Sequence, residues 1–362
     1  MMMLPFGPGL QWFVVMMSTI RRKMLPTFSR VSRVTLGLTV LLASVIFIMY
    51  LVASRMNSDT PRHPSSPLAQ RNNREQKACK GILLVVIFNF PYFKNVPMLR
   101  DMYGDTFSKV VFFADESDEA LDVHAVALEK GYFQHRAVSA AMLMYPGYDG
   151  YLWTGDDVLL DPYKMLSTLN MDQLWLAGYD DSVYCVEDGT KPACTHHEHW
   201  DGLLRNGERS SKEDTGAEGR TAARLALARL PAPYRKRSRN ALRCEDCFLK
   251  GPSDVGYVPR AKVSEFLLTS LFFHDIFFEF AVPTMFLLLA PGRSNMEVPA
   301  AFYSWAKNPD ERFNEVATSW KSGRFIFVHP VKLSVPVQRE SAFKWLAQAK
   351  LNSRWSSRNR CT

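Results

Sequence analysis

A chain of 362 residues with 47% hydrophobic side chains can bury one large core or two ordinary ones. Its formal net charge of +8 suggests a nucleic-acid partner only until the charge is located. Residues 1–33 carry +5 and residues 34–80 carry +4, whereas 81–362 hold 33 basic and 34 acidic side chains, which argues against a nucleic-acid surface on the globular part.

Val34 to Ala53 is a run of 20 residues without a charge. As a helix it spans roughly 30 Å, the thickness of a bilayer's hydrocarbon core. It lacks a clear small-residue cleavage site and a polar face, which disfavours a signal peptide and a buried core helix. Basic residues crowd its N-terminal side. The expectation is a type II single-pass anchor, with residues 1–33 as a cytosolic tail and the chain from 54 onward across the membrane. Residues 54–80 are polar, contain prolines and lack aromatics, and read as a flexible stem. All six cysteines (Cys79, Cys185, Cys194, Cys244, Cys247, Cys361) then lie on the far side, where disulfides are compatible with the count.

Residues 81–362 read as one α/β domain. Gly81 to Phe88 is a continuous apolar, β-branched run that suits a central strand buried on both faces. Val96 to Met102 fits a short helix, Lys109 to Phe113 a second buried strand, and Ala120 to Lys130 either a helix or a loop. A helix at Ala137–Met144 precedes a glycine turn and the stretch Gly150 to Leu160, GYLWTGDDVLL. Here an apolar strand ends in Thr154-Gly155 and two adjacent acids, and Asp161-Pro162 reads as an N-cap followed by proline at the first helical position. A helix to Asn170 and a strand at Leu174–Gly178 follow, and the repeated strand–connection–strand order predicts a mostly parallel sheet. From about Glu187 to Lys250 the composition turns Gly-, Ser-, Arg- and Glu-rich, with a helix candidate at Thr221–Leu230, and reads as an insertion or mobile lid. Then come a short strand in DVGYVP, two apolar helices (Arg260–Phe273 and Phe278–Leu289), a last strand at Arg324–Val328 and a terminal helix at Ala342–Leu351.

Asp156 and Asp157 are the leading functional candidates, because carboxylates at a buried strand end need a partner or a metal ion. Both reach one ion only if the strand has ended, which Gly155 permits. Otherwise one acid faces the ion and its neighbour faces a ribose or a basic side chain. Hard oxygen ligands suit Mg²⁺ or Mn²⁺, which would bridge a diphosphate. The plain alternative is that Asp157 only caps a turn. Asn89 and Asp115 follow the first two strands, at the edge where open α/β sheets bind ligands and where an acid commonly takes a ribose hydroxyl. Taken singly, each is nearly as well explained as an ordinary turn residue. His329 follows an apolar strand and precedes proline, a place for a metal ligand, a phosphate contact or, more commonly, a structural histidine. Glu279, among Phe277, Phe278, Phe280 and Ala281, needs a raised pKa or a partner, as a general base or a sugar-hydroxyl clamp does. The cluster of His196, His197 and His199 with Cys194, Cys244 and Cys247 lacks finger spacing, so loop disulfides such as Cys185 with Cys194 account for the cysteines better than zinc.

With GYLWTGDDVLL at 150–160, SDVGYVPR at 253–260, EFAVPTMFLLLA at 279–290 and FIFVHPVKLS at 325–334, the chain resembles GT-A type glycosyltransferases, and more narrowly the STELLO family of probable Golgi glycosyltransferases. The resemblance implies a Rossmann-like GT-A domain at 81–362 in the Golgi membrane, a nucleotide-sugar donor, a glycan or glycoprotein acceptor and a divalent cation. It is compatible with a homodimer or an enzyme complex. By motif position it implies Asp157 as the principal metal-binding acid, with Asp156 beside it and His329 as a second ligand. Asp254 and Tyr257 would lie near the acceptor, and Glu279 is the candidate base. Gly155 stands where a strict Asp-X-Asp motif has an acid. A non-catalytic, glycosyltransferase-like protein supporting the trafficking or assembly of other enzymes is the alternative expectation, and a zinc hydrolase built on the His/Cys cluster is a third.

Overall fold

The structure is a computed structural model and describes residues 81–178, 183–185, 214–242, 244, 247–290 and 296–357. The expected anchor at 34–53, the tail and the stem lie outside these residues, as do His196, His197, His199 and Cys194. Among the described residues no helix is long and apolar enough to cross a membrane.

The chain opens with strand β1 (Ile82–Ile87), all six of whose residues are buried. Alternate side chains serve two different cores: Leu83, Val85 and Ile87 on one face, Ile82, Leu84 and Val86 on the other. Each such chain contributes about 1.5–3 kcal/mol of apolar burial, which is why the unbroken aliphatic run sits at the sheet's centre. Next are α1 (Val96–Gly104), β2 (Lys109–Ala114) and the short β3 (Val123–Ala125). The stretch from Ala120 to Lys130, open between helix and loop in the sequence, is a turn-rich loop that adds this edge strand. Then follow α2 (Gln134–Met144), β4 (Gly150–Gly155), β5 (Leu159–Leu160), α3 (Pro162–Thr168), β6 (Leu174–Leu176) and β7 (Val183–Cys185). Asp161 is the N-cap of α3, accepting from the Tyr163 and Lys164 N–H groups.

The second half holds α4 (Asp214–Arg229), α5 (Ala232–Leu242), β8 (Cys247–Leu249), β9 (Val255–Pro259), α6 (Val263–Phe272) and α7 (Phe278–Leu289). It ends with β10 (Met296–Glu297), β11 (Ala301–Tyr303), α8 (Pro309–Lys321), β12 (Phe327–His329) and α9 (Pro336–Ser357). The region expected to be an insertion or lid is in its later part structural: Ala223, Ala226, Leu227, Leu230 and Phe248 are buried in the main core. Its polar composition hides this because one apolar stripe is enough to dock a helix. Cys244 and Cys247 form a disulfide with each other.

The seven-stranded sheet has the order β10-β6-β9-β4-β1-β2-β3. Its pairings are parallel except along β9, which runs antiparallel to both β4 and β6. The domain is thus α/β with a mixed, mostly parallel sheet, compatible with a Rossmann-like architecture. Helices α2, α6 and α7 cover one face, while α1, α3, α8 and α9 cover the other. Gly256 in β9 is dictated by Trp153, since a Cβ there would come 2.1 Å from the indole. A second sheet, β11-β12-β5, pairs β12 antiparallel to β5 just beyond the acids that follow β4.

Candidate active site

From β1 the chain moves outward through β2 to β3, and then returns to place β4 on the other side of β1. The order of strands therefore reverses between β1 and β4. At such a reversal the loops leaving the two carboxyl ends diverge and open a crevice, the usual ligand site of open α/β sheets. Asn89 follows β1 there and Asp156-Asp157 follow β4. The Asp156 N–H still donates to Ile87 O at 3.0 Å, so the acids begin where the ladder ends.

The two acids diverge. Asp156 is buried, facing the backbone N–H of Asn89. Asp157 turns the other way, with Oδ1 3.3 Å from His329 Nε2 and Oδ2 paired with the Lys332 ammonium. Its backbone carbonyl accepts from Val331 N at 2.6 Å, which fixes the segment after β12 against the acid. Asp157 thus meets two basic side chains, a contact the sequence left open for one of the two acids.

Charge follows from these contacts. Burial drives the Asp156 carboxyl above its ordinary range, and the neighbouring Asp157 charge adds to this. Burial acts the same way on Asp157, but His329 and Lys332 outweigh it and hold that carboxyl well below the usual range. His329 is opposed by burial, yet Asp157 raises its pKa above that of a free imidazole. On the far side of the pair, Asp254 immediately precedes β9, its carbonyl accepting from Gly155 N at 3.1 Å. Burial raises its carboxyl too. Glu279, in the first turn of α7, is pushed up to about 7 by burial and by Asp254. The hydroxyl of Tyr303 is buried and lacks a hydrogen-bond partner of good geometry among the described residues. Burial, the charges of Asp254, Glu279 and Asp157, and a contact of the hydroxyl with the Asp254 carboxyl hold its pKa well above the ordinary tyrosine value.

Asp156, Asp157, Asp254, Glu279 and His329 thus belong to one electrostatic cluster. Asn89 borders it: its Oδ1 accepts from Gln134 Nε2 at 3.1 Å and lies against Gly131, whose φ of +88° brings the backbone close. Asp115 is exposed and already engaged. Its Oδ1 accepts from Leu128 N at 2.6 Å and Glu129 N at 2.8 Å, and its Oδ2 from Lys130 N at 2.7 Å. It shapes the loop that ends at Gly131, beside Asn89. Tyr257 is a correction. The expected acceptor contact is buried in the sheet, stacked on Trp175 with ring centroids 4.2 Å apart, and its hydroxyl donates to Met171 O at 3.0 Å. Its position in β9 turns the ring into the core. Asp254, just before the strand, is free of that alternation.

Sequence reasoning missed three residues: Lys332, Tyr303 and Trp305. Lys332 lies inside the quoted FIFVHPVKLS motif and is its only permanently charged side chain, which was the available signal. Tyr303 and Trp305 gave none, because Tyr303 nears the acids through the pairing of β11 with β12 and Trp305 follows by stacking on Tyr303.

Among the described residues no three or more His, Cys, Asp or Glu side chains form a ready-made metal cage. The donor set nevertheless fits a divalent cation by charge. Four carboxylates meet one lysine and one histidine, and burial above all raises the pKa of three of the four (Asp156, Asp254, Glu279), so that a cation entering among them would favour their charged forms. Lys332, its side chain 48% exposed, covers one oxygen of Asp157 and can swing away into solvent. Compared with models of known families and with curated proteins, the chain matches none of them.

Proposed function

We propose that this domain is a GT-A type glycosyltransferase that moves a sugar from a nucleotide-diphosphate sugar to a lumenal glycan or glycoprotein. In this reading the chain is a type II protein of the Golgi membrane, held by the apolar run at 34–53. One observation carries the proposal: two adjacent acids whose pKa values are shifted in opposite directions sit at the strand-order reversal, with a second group of acids, Asp254 and Glu279, beside them.

The division of labour follows from position. On the β1 and β2 side, Asn89 and the loop shaped by Asp115 would face the nucleoside. The exposed rings of Phe90 and Tyr92, tilted to one another at 48°, each offer an aromatic face to its base. Asp157, Asp156 and His329 would hold a Mn²⁺ or Mg²⁺ ion, which when bound would neutralise the leaving diphosphate. Lys332, if released from Asp157, would be a cation available to the same diphosphate. Glu279 is the candidate base, its pKa of about 7 suiting proton transfer near neutrality. The acceptor oxygen bonds to the anomeric carbon and its proton passes to the Glu279 carboxylate. The bond from that carbon to the diphosphate oxygen breaks, and the nucleoside diphosphate leaves with the electron pair. Asp254, next to Glu279, holds the base's pKa up and is available to an acceptor hydroxyl.

The test is a thermal-shift screen of the purified protein with a panel of nucleotide sugars, with and without Mn²⁺. Divalent-dependent stabilisation by one donor is expected, and Asp157→Ala should abolish it. Donor and cation binding unchanged in Asp157→Ala would refute the role of that acid. The pairing of Lys332 with Asp157 favours a second reading, a non-catalytic glycosyltransferase-like protein that supports other Golgi enzymes, because a lysine here occupies the acid a cation needs. Turnover or hydrolysis of any nucleotide sugar by the purified protein counts against it.

A further inference from the structure

Trp305 is 79% exposed, the most exposed of the large apolar side chains among the described residues. Single exposed apolar residues are common and call for no explanation. This one differs in three respects. Its indole lies nearly parallel to the ring of Tyr303, with centroids 6.1 Å apart and planes at 14°. Tyr303 is itself wedged edge-on against His329, at 5.4 Å, and Phe327, at 5.7 Å, so the stack runs from solvent into the acid cluster. The backbone on either side of Trp305 is also fixed. Ser304 N donates to His329 O at 2.9 Å, and Ser304 Oγ to Glu315 Oε2 at 2.5 Å. Beyond it, Arg312 Nε donates to Ala306 O at 2.8 Å. A large aromatic face is thus held open to water on a constrained backbone.

We infer that Trp305, backed by Tyr303, is the acceptor-saccharide subsite: a platform on which a pyranose ring of the acceptor lies flat, next to the acids that would take its hydroxyls. A pyranose presents one or two faces of C–H groups with hydroxyls at the rim. It therefore matches an aromatic plane bordered by carboxylates better than a purely apolar ligand does. The buried Tyr303 hydroxyl, beside the Asp254 carboxyl and close to Glu279, gives a second polar group on this side. Placement separates this ligand from the donor. Trp305 stacks on Tyr303, which packs on His329 of β12, whereas Asn89, Phe90 and Tyr92 belong to the segment that leaves β1. The inference rests on the glycosyl-transfer reading and deepens it by naming the acceptor's contact.

The full-length protein, purified in detergent, is tested on a printed array of N-glycan, O-glycan and glycosaminoglycan oligosaccharides. Nucleotide-sugar binding is measured in parallel by thermal shift. Wild type and Trp305→Phe should bind a common set of glycans, Trp305→Ala should lose at least tenfold of that signal, and all three should bind nucleotide sugar equally. Equal glycan binding by wild type and Trp305→Ala overturns the inference. So does loss of nucleotide-sugar binding in Trp305→Ala, which would assign the ring to the donor, and so does nucleotide-sugar binding without any glycan signal. If neither ligand class binds wild type, the glycosyl-transfer reading fails and takes the subsite with it. Trp305→Phe, with its melting temperature, guards against misfolding, which the exposure of the side chain already disfavours.

Discussion

Replacing Glu279 by glutamine tests the buried charge of the site without changing its shape. The carboxyl lies in the first turn of α7, where the helix dipole favours a carboxylate, and yet burial and Asp254 push its pKa from 4.5 up to about 7. An acid whose pKa rises on folding contributes stability that is fully present below pH 4.5 and lost as pH rises through about 7. At 1.36 kcal/mol per pH unit the loss is about 3 kcal/mol for a fully enclosed group. Glu279 is half-buried, so solvent screening reduces this to about 1–2 kcal/mol. For a domain of this size that is roughly 2–8 °C in melting temperature. Asp156 and His329 also have raised pKa values and slope the same way, so neither profile alone isolates Glu279. The difference between wild type and Glu279→Gln does, because the other groups are common to both. Thermal melts of the two proteins from pH 4.5 to 8 should therefore diverge, the variant gaining on wild type by those few degrees. Parallel melting curves across the range would refute the assignment of a buried, charge-stressed carboxylate. Sugar transfer should fall at least a hundredfold in the variant while donor binding is kept.

Three further outcomes follow from contacts. Lys332→Met removes the cation resting on Asp157, so Mn²⁺ affinity measured by calorimetry should rise at least tenfold; unchanged affinity would show that the ammonium does not compete for the acid. Gly256→Ala puts a Cβ 2.1 Å from the Trp153 indole and should destabilise the domain by about 3 kcal/mol, seen as a lower melting temperature and altered tryptophan emission. Tyr257→Phe gives up the bond to Met171 O, a loss of about 1 kcal/mol, with no change in nucleotide-sugar or glycan binding, as its place in the core requires.

The strands that organise the domain were legible because burial on both faces leaves an unambiguous pattern: ILLVVI, KVVFFA and GYLWTG are continuous apolar runs, and all became central strands. Asp161 as N-cap and the acids beyond Gly155 were legible for local reasons, since capping and strand termination are decided within a few residues. What failed depends on distant partners. Tyr257 has no neighbour in sequence to show that it meets Trp175, and the motif around it drew attention to the wrong side chain. The antiparallel course of β9 escaped for the same reason, because its direction is set by where α4, α5 and β8 deliver the chain. Those elements looked like an insertion, since a helix such as Ala232–Leu242 buries few residues and shows a charged face to solvent.

The two-residue strand β5 explains how a cluster spread from Asp156 to Lys332 comes together. Leu159 and Leu160 pair with Val328 and Phe327, and the Asp161 N–H donates to Ile326 O at 2.7 Å. These bonds hold β12 against the turn that follows β4. The bond from Val331 N to the Asp157 carbonyl then fixes the exit of β12, so His329 and Lys332 reach the same carboxylate from one short segment. Because β11 pairs with β12, Tyr303 comes to lie opposite His329 and carries Trp305 with it. The basic pair that lowers Asp157 and the aromatic stack beside Asp254 are therefore positioned by one small sheet. A ligand that draws Lys332 off Asp157 would act on the same backbone that presents Trp305.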